Sequence, residues 1–373
     1  MAIKKNLLEK FNILLILVLI CIAGFNIYQN FSGQANISYI RSHINNEFIF
    51  DIPGNDKFTE GQLKGYVAAL DDPYSEYIPK SELNKFSDQL NQRYQGIGVV
   101  FDFRDLEKSG FIIISKVITN SPAFKNDLKS GDKLIKIEGK TIAKETQDEI
   151  VNQIRGEINS SVNLTIQRGG EFLEKKISRE KIVSPLVEFS EINDTKLIVI
   201  STFGDDVAGK FDEAVKTLEQ PDSKIKNLII DMRDNPGGRL DVAIDLASHF
   251  LDEGTTVLNE ATKKQTIPLK SIKKPINLAG KLKLKVLINK NSASASEILA
   301  IALKEKAGAI LYGQKSFGKG VVQKVIELPS GDNLKLTFAK WTSPNGTEIN
   351  KKGVNVDKEI PIDIDQLKYT LEN

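Results

Sequence analysis

The 373-residue chain contains only two histidines, His43 and His249, and a single cysteine, Cys21. One cysteine excludes an intramolecular disulfide framework, so cysteine usage says nothing about redox compartment. With no HExxH pattern and two distant histidines, no zinc site is expected and no cofactor or metal is implied. The same scarcity leaves a Ser/His/Asp triad almost nothing to draw on. An excess of one charge is missing too: 51 basic residues face 49 acidic ones, which gives no electrostatic case for nucleic acid. What remains is ordinary globular composition, 40% apolar and 27% charged, in a chain long enough for two or three domains.

Residues 1–35 read as an export segment. Lys4, Lys5 and Lys10 precede an apolar stretch over 11–28, interrupted only by Asn12 and Asn26. Its uninterrupted core, 13–25, suits a signal peptide, while the full stretch nearly spans a bilayer. The basic flank keeps the N-terminus cytoplasmic and sends the rest across. Gly33 and Ala35 offer a cleavage site, but no small-x-small pattern follows the core directly. The expectation is therefore an uncleaved single-pass anchor, with a secreted product if the segment is cut. Cys21 follows Ile20, where lipidation requires a small residue, and reads as an apolar cysteine within the segment.

Residues 36–93 carry helical spacing in SYIRSHINNEFIF and EGQLKGYVAAL. Asp71, Asp72 and Pro73 stop the second helix, and SELNKFSDQL starts another with Ser81 as its N-cap. No chemistry is assigned to this region, and His43 reads as a surface or packing histidine. From 94 to 182 the pattern changes to short β-type runs, FIIISKVI, DKLIKIEG and SVNLTIQR, with one helix pattern in ETQDEIVNQIRG. A GIGV loop leading into a strand, followed by SPAFKNDLKSGDKLIKIEG and a late helix, resembles a PDZ domain of the bacterial protease type. Gly96 and Gly98 would let backbone N–H groups turn inward to hold a peptide's terminal carboxylate, and the next strand would pair with the peptide. Ile97 and Val99 would line the pocket for its last residue. GIGV by itself is a weak motif, more often just a tight turn before a strand.

From 183 to 373 strands and helices alternate through KLIVISTF, DDVAGKFDEAVKTLEQ, NLIIDMRD, RLDVAIDLASHFLD, LKVLINKN and ASEILAIALKE. This predicts an α/β core with largely parallel pairing, in which NLIID and KVLIN are buried central strands. Sites form at the ends of such strands. After NLIID, Gly237 and Gly238 open a helix, either as an ordinary turn or as one that aims N–H groups at a developing oxyanion. After KVLIN comes NSASASE, where on spacing alone Ser294 and Glu297 read as an S-x-x-E capping box before they read as a nucleophile site. The balance is shifted by SFGKGVVQ: Lys319 lies 25 residues beyond Ser294, between two glycines. A desolvated lysine is a known substitute for histidine as the base of a serine nucleophile. Read as one strand, this segment points Lys319 and Gln323 to the same face.

These residues, with LDDPYSEY, YQGIGV, DMRDNPGG and LKLTFAKWTSPNGTEI in that order, resemble the carboxyl-terminal processing, or tail-specific, protease family over nearly all of the exported chain. The resemblance implies a Clp/crotonase-like layered core with an inserted PDZ domain. It places the nucleophile on Ser294, the general base on Lys319 and the lysine-orienting glutamine on Gln323, and makes Ser292 and Ser296 dispensable. It puts the oxyanion donors on the backbone of Ala295 and of Gly237 or Gly238, and suggests Arg155 as a coupling residue between PDZ domain and core, where a solvated helix-end arginine is the plain alternative. Val356 stands where the family's proline is expected before Asp357, a departure at one turn. The implied partners are protein substrates with free, apolar C-termini, the bacterial cytoplasmic membrane through residues 1–35, and a second copy in a homodimer formed by the helical region. The implied activity is extracytoplasmic endopeptidase action by acyl transfer. It requires the lysine pKa to fall from about 10.4 to about 7 or 8, against a cost of roughly 4 kcal/mol, chiefly through burial and with no acidic side chain in contact. The rival readings are an inactive secreted PDZ scaffold and a crotonase-like enzyme acting on thioesters.

Overall fold

The computed structural model describes residues 35–372 apart from 104–105, 221–222, 277–281 and 362–363. All of the expected export segment except Ala35 lies outside the described residues. Among the described residues no helix is long and apolar enough to cross a membrane. The chain divides into two units, Met1–Ala69 and Leu70–Asn373. In the first, a helix over 35–47 is followed by the helix Asn55–Ala68, which buries none of its residues.

The second unit is built on a six-stranded sheet in the order Val187–Ile192, Thr195–Ile200, Asn227–Asp231, Lys283–Ile288, Ile310–Gly313 and Lys358–Glu359. Only the first of these pairs antiparallel to its neighbour, and the rest are parallel. The two central strands are the expected apolar runs. Leu228 to Asp231 and Leu284 to Ile288 are all buried, because helices pack on both faces of a parallel sheet. One of those helices, Ala295–Ala307, buries every residue from Ala295 to Leu303 and ends at Gly308 in a left-handed conformation, φ 70°. Such a helix, enclosed on most sides, is held by packing rather than by an amphipathic stripe.

A second sheet orders Glu76–Ile78, Asn333–Thr342, Thr256–Thr262 and Thr266–Lys270, with Val321–Glu327 also paired to Asn333–Thr342. The strand Glu76–Ile78 is an addition to the mostly helical expectation for 36–93. Three residues carry no readable period, and the strand forms because Tyr77 and Ile78 are buried against a partner more than 250 residues away. Tyr77 donates to Asp332 at 2.7 Å, and the Lys80 N–H donates to the same carboxylate at 2.9 Å. Ser81 is not an N-cap either: it lies inside a 3₁₀ turn, Lys80–Glu82, that runs into the helix Leu83–Leu90.

The PDZ region has its own sheet, Val99–Asp102, Ile112–Val117, Lys133–Ile137, Ser161–Arg168 and Glu171–Ser178, around a separate apolar core that includes Ile112, Ile114, Leu134 and Leu164. Its helix, Gln147–Ile154, starts at a full capping box between Thr146 and Glu149. The strands Arg93–Gly96 and Glu180–Val183 pair where the chain enters and leaves this region.

Candidate active site

Of the three serines in NSASASE, only Ser294 is not buried. Ser292 donates to the Met232 carbonyl at 2.7 Å and accepts from the Asn289 N–H at 2.9 Å. Ser296 donates to the Asn235 carbonyl at 3.0 Å. Both are completely enclosed and turned to backbone partners rather than to the cavity, and losing the Ser292 hydroxyl leaves the Asn289 N–H without its acceptor. Ser294 has φ 56° and ψ −115°, a conformation costly for a side-chain-bearing residue and kept only where the surroundings impose it.

Glu297 imposes it. This carboxylate has no solvent exposure and accepts four hydrogen bonds. One oxygen takes the Ser294 N–H at 2.8 Å and the Lys319 N–H at 2.9 Å, and the other takes the Ser316 hydroxyl at 2.5 Å and the Gly318 N–H at 2.7 Å. Half of the predicted capping box is thus present, while the Glu297 N–H goes to the Ser294 carbonyl at 2.9 Å. Capping and site-building are one arrangement: a single carboxylate holds the backbones of the candidate nucleophile and the candidate base.

The glycine turn packs directly on the serine. A Cβ on Gly237 would lie 2.7 Å from the Ala293 carbonyl and 2.8 Å from the Ser294 Cβ, and one on Gly238 would lie 2.4 Å from the Phe203 carbonyl. Both glycines have positive φ, 100° and 144°. The Gly237 N–H donates to Asn235 Oδ1 at 2.9 Å, and buried Asn235 also donates to the Ile200 carbonyl at 2.7 Å. Its carbonyl accepts from the Ala293 N–H at 3.0 Å, which ties the turn to the serine loop. Asn235 lies within the DMRDNPGG motif, but nothing local to the motif indicates the contacts its side chain makes.

Lys319 lies in an irregular segment ahead of the strand Val321–Glu327, so the one-strand argument for its alignment with Gln323 does not hold. A register shift between Val322 and Gln323 breaks the alternation further. The two nevertheless line one cavity of about 390 Å³ with Ser294, Gly238, Leu240 and Ile298. The flanking glycines permit this placement: a Cβ on Gly320 would meet the Asn350 N at 2.3 Å, and one on Gly318 would meet the Gly353 N at 2.8 Å. Trp341 fixes the lysine backbone by donating to its carbonyl at 2.9 Å.

The lysine side chain is partly rather than fully buried. Burial pushes its pKa below the ordinary lysine value, the Lys335 charge adds to this, and the charges of Asp72 and Glu297 oppose it. Nζ lies 4.7 Å from the ring centre of Tyr74, a contact that also favours the charged form but does not reverse the shift. Among the described residues no carboxylate forms an ion pair with it. Tyr74 and Asp72 belong to the stretch to which the sequence assigned no chemistry. Gln323 donates from Nε2 to Thr337 Oγ1 at 3.0 Å. His249 is occupied by Asp212 at 2.6 Å and does not line this cavity.

A second groove, about 360 Å³, runs between the strand Val99–Asp102 and the helix Gln147–Ile154. Gly96, Ile97, Gly98 and Val99 form one wall, and Val151 and Arg155 lie opposite. Gly98, at φ 82°, is the glycine the loop demands, because a Cβ there would sit 2.3 Å from the Ser121 Cβ. Gly96 is paired in a strand with Glu180, and Ile97 points into the PDZ core at 1% exposure. Arg155 caps the helix end and stacks over Tyr94 at 5.6 Å, within this groove and not among the residues lining the Ser294 cavity. At the departure near the C-terminus, Val356 packs against the main core and Asp357 bonds the backbone of Leu311 in both directions, 2.8 and 2.9 Å, so the turn closes without proline.

Residues 194–360 match the model of peptidase family S41, and residues 96–178 match that of the PDZ domain. A probable CtpA-like serine protease of Staphylococcus aureus (strain MSSA476) is 35% identical over 364 residues, covering 96% of this chain and 71% of that protein. Among solved structures, a putative S41 protease from Bacteroides fragilis superposes with a TM-score of 0.61 at 18% identity, over 87% of this chain and 92% of that one. The photosystem II D1 C-terminal processing protease gives 0.54 at 23% identity, over 92% of each chain. At these identities the two structures testify to the fold alone. The family model and the staphylococcal relative establish that the chain belongs to peptidase family S41, as a serine-type, CtpA-like C-terminal processing peptidase carrying a PDZ domain.

Proposed function

We propose that the chain is an exported endopeptidase that captures the C-terminal tail of a substrate protein in the PDZ groove and cleaves it with a Ser294/Lys319 dyad. The observation that carries this reading is the shared cavity of Ser294, Lys319 and Gln323, with Lys319 depressed by burial and free of ion pairing among the described residues. Neutral Lys319 takes the Ser294 proton as the hydroxyl oxygen attacks the peptide carbonyl. The tetrahedral oxyanion is met by backbone N–H groups, and lysine then protonates the departing amine. Water, deprotonated by the same lysine, attacks the acyl-enzyme and releases the second product. Because the Gly237 N–H is held by Asn235, the donors we assign are the N–H groups of Gly238 and Ala295. Gln323 is neutral and so can orient the lysine without raising its pKa, as a carboxylate would.

The apolar stretch behind Lys4, Lys5 and Lys10 supports a single-pass anchor in the bacterial cytoplasmic membrane with the protease outside. The test is cleavage of an unstructured protein with an apolar C-terminus. Activity should vanish in Ser294→Ala and Lys319→Ala and fall when the terminal carboxylate is amidated. Cleavage that survives Lys319→Ala refutes the dyad.

A further inference from the structure

Gln323 has an amide with two unlike ends, and only one of them serves a neutral lysine base. Its carbonyl can accept from the lysine nitrogen, leaving the lone pair to face the serine, whereas its NH₂ would compete for that lone pair. Resting on the Ser/Lys reading above, we propose that Thr337 and Asp72 are positioning residues that lock the Gln323 amide with its carbonyl toward Lys319. The argument is one of hydrogen-bond polarity. Asp72 as a carboxylate only accepts: it takes the Ser75 hydroxyl at 2.5 Å and the Tyr74 N–H at 3.2 Å, and it lines one cavity with Thr337, whose hydroxyl lies beside it. A carboxylate beside it draws the Thr337 hydroxyl proton, which leaves Thr337 Oγ1 to accept on its other side. What it accepts is Gln323 Nε2, at 3.0 Å. The NH₂ is thus turned away from the lysine and Oε1 is left for it.

Two further features hold the chain of contacts in place. The bulge between Val322 and Gln323 moves the pairing from Val322 opposite Ala339 to Gln323 opposite Thr337, skipping Phe338. Unbulged pairing would set Gln323 opposite Phe338 and break the link to the threonine. The Ser75 hydroxyl, donating to Asp72, also accepts from the Thr337 N–H at 3.0 Å, which docks the 72–75 turn onto the same strand. Burial works against ionisation of Asp72, yet its hydrogen bonds and the Lys319 charge hold its pKa below the ordinary aspartate value, so the acceptor end stays fixed at every working pH. The DDPYSEY stretch, which the dyad reading leaves without a role, acquires one.

The experiment is a double-mutant cycle on the full chain, with melting temperature as a control. Thr337→Val keeps the shape and removes the hydroxyl. It should lower kcat about tenfold with little change in KM, whereas Thr337→Ser should stay within about twofold of wild type. In a Gln323→Ala background, Thr337→Val should have no further effect. Should Thr337→Val fail to fold, Thr337→Ala takes its place in the cycle. Wild-type kcat in the threonine variant, or an equal loss with and without Gln323, overturns the proposal. Either result is separable from failure of the dyad itself, which Lys319→Ala reports.

Discussion

Glu297→Gln is the substitution from which most can be computed. The carboxylate accepts four bonds, two on each oxygen, and the amide offers only one accepting atom. The less damaging orientation puts NH₂ toward Ser316 and Gly318, because the Ser316 hydroxyl can rotate to accept while the Gly318 N–H cannot. At least one N–H then faces another donor, a loss of about 1.5–3 kcal/mol, and the remaining bonds fall from charge-assisted to neutral strength, about 1 kcal/mol each. Relief from burying a charge offsets part of this. The net destabilisation is about 2–4 kcal/mol, which lowers the melting temperature by roughly 10 °C for a domain of this size. Because the same carboxylate holds the Ser294 and Lys319 backbones, kcat should fall at least about tenfold. The pH profile provides an independent sign: the Glu297 charge raises the Lys319 pKa, so its removal should move the acid limb of activity to lower pH. Calorimetry and kcat measured across pH check both. An unchanged melting temperature with unchanged kcat, or an acid limb that moves up, would refute the reasoning.

The depressed pKa of Lys319 predicts a trade of stability against activity. The folded state binds fewer protons than the unfolded one between the lowered folded pKa and the ordinary value, so stability rises with pH through that window and the penalty is present in full below it. Lys319→Met should therefore be inactive yet melt higher than wild type at pH 6, with the gap closing toward pH ~10; a lower melting temperature at pH 6 would contradict the burial argument. In the PDZ groove, Gly98→Ala sets a Cβ 2.3 Å from the Ser121 Cβ and should weaken binding of a C-terminal peptide at least about tenfold in a fluorescence titration, and unchanged affinity would sink the loop assignment. The buried Asp132 carboxylate is raised by burial but lowered further by Arg168, which it meets at 2.6 and 2.8 Å. Its stabilisation is complete above the unfolded pKa near ~3.9 and is lost as pH falls through the lower folded value, so Asp132→Asn should cost stability at pH 7 and flatten the acid end of the melting profile.

Whatever depends on neighbours along the chain was legible in advance. The apolar runs NLIID and KVLIN are central strands because both faces must be covered, and the change of period at residue 94 marks the PDZ region because a small sheet needs its own core. Ser294 is singled out by the family resemblance, at the family's spacing from Lys319, and the structure adds that its neighbouring serines are sealed into the loop. The alignment of Lys319 with Gln323 was expected for the wrong reason: the lysine precedes the strand, and a bulge, invisible to an alternation pattern, lies just ahead of the glutamine.

Local sequence thus carried most element types, the family and the candidate dyad, because hydrophobic period, turn residues and motif spacing are properties of short stretches. Tertiary structure alone decided which polar groups meet. Glu297 becomes the shared anchor of two segments, Asn235 engages the Gly237 N–H, and Asp72 and Tyr74 reach a lysine some 250 residues away. Burial turns each of these into a matter of matching donors to acceptors across distant strands, and no local pattern in the chain records that match.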